Sequence, residues 1–159
     1  MNKLIGYFEN LARAHSQVLH TDEECHFSSL LDDAQNSFAR RMHYPCVCME
    51  LGDINFSGSL DSSRTEQVVT LFFLDHVADA GDYEEIQTKL DNTCTIMKDF
   101  VKRMVRDRKA GVKLMSRFDP TGLEAHSIYH ESAGLYGWVL MMTDIEPLSY
   151  LDCEGVWMD

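Results

Sequence analysis

The chain lacks most of the signatures that announce a chemistry. Its 159 residues contain no apolar run near the roughly 18 residues needed to cross a bilayer. Met1 to Asn10 holds one lysine and no long apolar stretch, so no signal peptide is expected. Five cysteines are an odd number without paired CxxC spacing. Free thiols in a reducing cytoplasm are expected rather than a disulfide framework. The nine glycines form neither GxGxxG nor a phosphate-binding loop, and neither GxSxG nor HExxH occurs. There is no internal repeat and no low-complexity linker. The net charge of −12 argues against nucleic acid as the main partner.

What is present suits a single globular domain: 45% apolar and 25% charged residues. The strongest pattern runs from Asp82 to Arg108. Tyr83, Ile86, Leu90, Cys94, Met97, Val101, Met104 and Val105, flanked by Phe100, follow steps of three and four, the mark of one helical stripe. Asp82 with Glu85 reads as a capping box behind Gly81, and Gly111 supplies a stop. Such a helix would be about 40 Å long. With one apolar face it needs a sheet to lie on.

Asn2 to Leu19 reads as an amphipathic helix carrying Leu4, Ile5, Phe8, Leu11, Ala12, His15, Val18 and Leu19. Thr21 to Ser29 reads as a polar turn, and Ser29 to Met42 as a short second helix. Pro45 starts extended chain. Cys46 to Ser59 alternates as a strand with Gly52 and Gly58 as bulge or bend points. Thr65 to Ala78 is apolar on both faces, as a central strand is. Three further strands are expected after the long helix: Val112–Phe118, Leu123–Glu131 and Leu135–Ile145, the last two joined through Ser132–Gly134 and the final one ended by Pro147. The expected fold is α+β, a mostly antiparallel sheet packed against a long central helix and an N-terminal helix. It spans residues 1–150 as one domain, with an acidic tail at 151–159.

Candidate chemistry is thin. His126 and His130 lie four apart in a strand, roughly 13 Å, too far for one metal ion. Cys46 and Cys48 share a strand face and read as buried thiols. Cys25 and His26 are adjacent, which does not make a nucleophile–base pair. Tyr136, Trp138 and the methionine pair Met141–Met142 read as core, and Trp157 as core or an interface anchor. No catalytic, cofactor or metal residue is assigned.

Charge is unevenly spread. Residues 98–117 hold eight bases against Asp99 and Asp107, a local excess of six. Helix-dipole complementation explains part of this, with Asp82, Glu84 and Glu85 at the start and bases at the end. A second reading is a subunit contact made by Lys102, Arg103, Arg106, Arg108, Lys109 and Lys113, with Trp157, against an acidic surface of another copy, and a third is a nucleic-acid patch.

The order of elements, closed by the strand that contains Leu135, Tyr136, Gly137 and Trp138 and runs to Pro147, resembles the tail-completion or tail-terminator proteins of bacteriophages. Similar domains occur in head–tail connectors and in phage-derived contractile injection machines. The likeness covers about residues 1–150. It implies a virion protein without catalytic activity or cofactor, made in the host bacterial cytoplasm. It also implies a closed homo-oligomeric ring, commonly a hexamer, that joins the tail tube to neck or connector proteins. Genome DNA would only pass through the lumen, and no membrane is involved. The acidic tail after Pro147 departs from the pattern. A reading from another class is an intracellular α+β binding module recognising a protein or small ligand; an enzyme ranks third.

Overall fold

A computed structural model describes residues 2–29, 42–59 and 62–147. Helix α1 (Asn2–Ala14) is followed by strands β1 (Phe27–Ser28), β2 (Cys46–Ser57) and β3 (Arg64–His76), helix α2 (Tyr83–Lys109), and strands β4 (Glu124–His130) and β5 (Leu135–Pro147). The five strands form one sheet in the order β1-β2-β3-β5-β4. Every pairing is antiparallel except β1 with β2. The fold is the α+β arrangement expected, with β3 at the centre of the sheet.

The periodicity that defines α2 also fixes how it packs. Its cap is the expected Asp82, whose Oδ1 accepts the Glu85 amide at 2.9 Å. The helix closes at Gly111 (φ 77°), with the Gly111 and Val112 amides bonded back to the Arg108 and Asp107 carbonyls. Ile96, Met97, Phe100 and Met104 are buried against Val69, Leu71 and Phe73 of β3 and against Leu140 and Met142 of β5. The Phe73 and Phe100 rings meet edge to face, 5.2 Å apart at 80°. Thr93 is fully buried in the same stripe because its hydroxyl donates to the Lys89 and Leu90 carbonyls. Trp138 Nε1 donates to the Leu90 carbonyl at 3.0 Å and ties β5 to the helix. Tyr83 fits the apolar spacing but is 80% exposed, because it sits in the first turn, ahead of the positions that reach the core.

Helix α1 buries Leu4, Phe8, Leu11 and Ala12 in the same core. It stops at Ala14 rather than Leu19. The Val18 and Leu19 amides both turn back to the His15 carbonyl, and Leu19 takes a left-handed φ of 51°. Val18 is buried from this turn while Leu19 is left exposed, so the apolar spacing outlasts the helix. Tyr7 links the helices by donating to Asp107 Oδ2 at 2.9 Å.

The polar segment 21–29 contains the two-residue strand β1, which sequence alone does not reveal. The proposed helix at Ser29–Met42 falls almost wholly on residues 30–41, and the acidic tail on 151–159; both lie outside the described residues. The register of β2 against β3 slips between Leu51 and Ile54, where the expected bulge at Gly52 sits. Val112–Phe118 is not a strand. Lys113–Met115 forms a single 3-10 turn that puts Met115 into the core, and a second such turn follows at Pro120–Gly122.

Two glycines predict opposite outcomes. A Cβ on Gly137 would stand 1.8 Å from the Phe73 carbonyl oxygen, inside the central ladder. Gly137→Ala is expected to cost about 4 kcal/mol or more in urea unfolding. A Cβ on Gly6, within α1, meets nothing within 4 Å. Gly6→Ala is expected to stabilise by about 0.5–1 kcal/mol.

Candidate functional site

Of the residues singled out for chemistry, Cys25, His26, Cys46 and Cys48 come together where β1 pairs with β2, while His126 and His130 stand apart on β4. Cys46 and Cys48 are buried on the sheet face away from the helices, packed with Leu74. Burial, with a hydrogen bond donated by the Cys48 thiol to Cys46, pushes that thiol well above its ordinary value, the behaviour of an inert thiol. Cys25 Sγ donates to the Phe27 carbonyl, while the neighbouring His26 ring places Nδ1 2.8 Å from the Pro45 carbonyl. His126 and His130 are exposed on the edge strand β4, opposite Val139 and Leu135 of β5. Tyr136 is in the core, and Trp138 packs against it. Met142 is buried and Met141 partly so. Trp157 lies outside the described residues.

The surface departs from an even scatter in two places. The first is the outer side of α2. Steps of three and four run along it through Glu84, Gln87, Asp91, Thr95, Lys98, Lys102, Arg106 and Lys109, all exposed. The first half of this row is acidic or neutral and the second half is basic. Local pairs absorb part of the charge. Lys102 Nζ meets Asp99 at 2.7 Å, and Arg103 Nε meets Asp107 at 2.8 Å. Asp107 is itself buried, with both carboxylate oxygens engaged, by Tyr7 and by Arg103. Two of the expected contact residues, Lys102 and Arg103, thus have partners within the chain. Arg108 acts on Asp119 at longer range and helps hold that carboxyl below its ordinary value, an effect led by the Thr121 amide. Lys98, Arg106, Lys109 and Lys113 have no ion pair among the described residues. Bases one turn apart repel, by roughly 0.2–0.5 kcal/mol per pair in an isolated helix.

The second place is the end of the sheet beyond α1. There the β2–β3 hairpin projects past the core and leaves Ile54 47% and Phe56 74% exposed. Beside it an open trough of about 520 Å³ is lined by Lys3, Leu4, Lys113, Arg117, Asp144 and Glu146. Burial, then the neighbouring Glu146, raises the Asp144 carboxyl above its ordinary value against the pull of Arg117. Strand β4 forms the open edge of the sheet and is exposed along nearly its whole length, with Tyr129 68% exposed and stacked on Tyr136.

Comparison with protein-family models, curated proteins and solved structures gives no match. Among the described residues, no helix is long and apolar enough to cross a membrane. The site is therefore argued from surfaces. Sequence reading found the basic half of the α2 row but missed Asp91, whose distance of seven from Glu84 places it on the same side. It also missed Asp144 and Glu146, which join Lys3 and Leu4 only through the fold.

Asp144 gives a test by pH. Its carboxyl holds a proton more tightly folded than unfolded. Stability therefore falls as pH rises through the range above 3.8. Asp144→Asn is expected to melt higher than the native chain at pH 7, with the difference closing as the pH drops below about 4. Thermal melts across that range check the sign.

Proposed function

We propose that this chain is a structural virion protein. In this reading it is a ring-forming tail terminator, tail-completion or head–tail connector component that joins a tail tube to the neck and lets DNA pass. The order of elements supports the reading, with a long helix laid across one face of an antiparallel sheet. The observation that carries it is the set of exposed apolar, open-edge and partly unpaired charged features among the described residues. A projecting hairpin shows Phe56 and Ile54 to solvent, a seven-residue sheet edge is open, and a charged row on α2 is only partly paired. Exposed apolar groups together with an open strand edge are the features by which subunits recognise one another.

A ring needs two different patches on each copy, joined head to tail through a rotation that closes. The partners in this reading are further copies of the chain, then tube and neck proteins. The location is the virion, after synthesis in a bacterial cytoplasm. An acidic chain also suits a lumen through which phosphate-rich DNA must slide without sticking.

Native mass spectrometry on the purified chain is the test. The expected spectrum shows one closed oligomer, a hexamer above all, and negative-stain images show rings with an open centre. A single protomer at every accessible concentration would overturn the reading and return the chain to the class of monomeric binding modules.

A further inference from the structure

We propose that the basic half of the α2 outer row is the docking surface for a second copy of this chain, which seats the acidic half of its own α2 row there. The inference rests on the ring reading and names the contact within it. Three observations point to it.

The helix dipole accounts for bases in the last turn, where its field acts. Lys98 lies about three turns before the end of α2. It is exposed and without an ion pair among the described residues.

Next is the arrangement. A solvated helix face is steadied by alternating acids and bases a turn apart. Here the signs are separated along the axis instead. Glu84 and Asp91 stand in the first nine residues of the helix, whereas Lys98, Arg106 and Lys109 stand in its second half. Neighbouring bases then repel within the chain, and an acidic surface brought from outside relieves that repulsion.

The third observation is that each half has its complement on the same rod. One copy offers a basic half to one neighbour and an acidic half to another. That is the head-to-tail form of contact a ring requires.

The test is a charge swap on the full chain. One variant carries Lys98→Glu, Arg106→Glu and Lys109→Glu, so both halves of its row are acidic. The other carries Glu84→Lys and Asp91→Lys, so both are basic. Circular dichroism and melting first show that each keeps its helix content.

The native chain is expected to assemble at about 50 mM salt and to need at least about tenfold more protein to assemble at 500 mM. Each variant alone is expected to stay a protomer, and an equal mixture to assemble beyond two subunits. A folded variant that assembles alone like the native chain overturns the contact. So does a mixture that stays protomeric or stops at two. Native rings with unaffected variants would leave the ring reading standing without this contact. Open filaments that obey the swap would keep the contact and remove the ring.

Discussion

Burial of one stripe of α2 against the middle of the sheet is the constraint on which everything else in this protein depends. Ile96, Phe100 and Met104 reach a floor made by Val69, Leu71 and Phe73, and the edge-to-face meeting of Phe73 with Phe100 sets how the rod lies. Truncating an aromatic at such a position typically costs about 3–5 kcal/mol, a large part of a domain's stability. Smaller ties hold the same arrangement: Trp138 to the Leu90 carbonyl, and Tyr7 to Asp107. With the inner side of α2 committed to the core, its outer side must face solvent or another molecule. The distribution of charge on that side is thus a property of the fold's surface and not of its folding.

The same packing explains why the rest of the surface is uneven. Two helices cover one face of the sheet over the length that α1 and α2 reach, and the hairpin beyond them is bare. Ile54 and Phe56 are on the helix side of β2 by register, opposite Gln67 and Thr65, yet no helix among the described residues extends to them. Asp144 and Glu146 fall on the same side of β5. Asp144 is thereby half-buried next to a second carboxylate, a placement that raises its affinity for a proton. Exposed apolar side chains gathered at one end of a small domain are unfavourable for a lone protomer and favourable once a neighbour covers them.

Much of this was legible in the residues. The step pattern, the Asp82 cap and Gly111 fix α2 almost to the residue, because local and long-range preferences agree there. The two-faced apolar run of β3 marked it as central for the same reason. The misses share a cause. Val112, Leu114, Met115 and Phe118 form a short apolar run that suits a strand or a turn equally, and only contacts with α2 and the core decide for the turn. Strand β1 exists because β2 offers it an edge, which no local pattern in Phe27–Ser28 announces. Leu19 continues a helical spacing past the point where the chain has turned. The candidate surface was half visible. Its bases stood out as a run, whereas Glu84 was read only as a complement to the helix dipole and Asp91, seven residues on, drew no notice.

A three-dimensional reconstruction of the assembled protein by electron cryo-microscopy tests the central claim most directly, since it shows which side of α2 faces what. The account predicts a closed, rotationally symmetric assembly in which the outer row of every α2 lies at a boundary between subunits, its basic half beside a neighbour's Glu84 and Asp91. An assembly with that row turned to open solvent in every copy, or particles no larger than one chain, would contradict it.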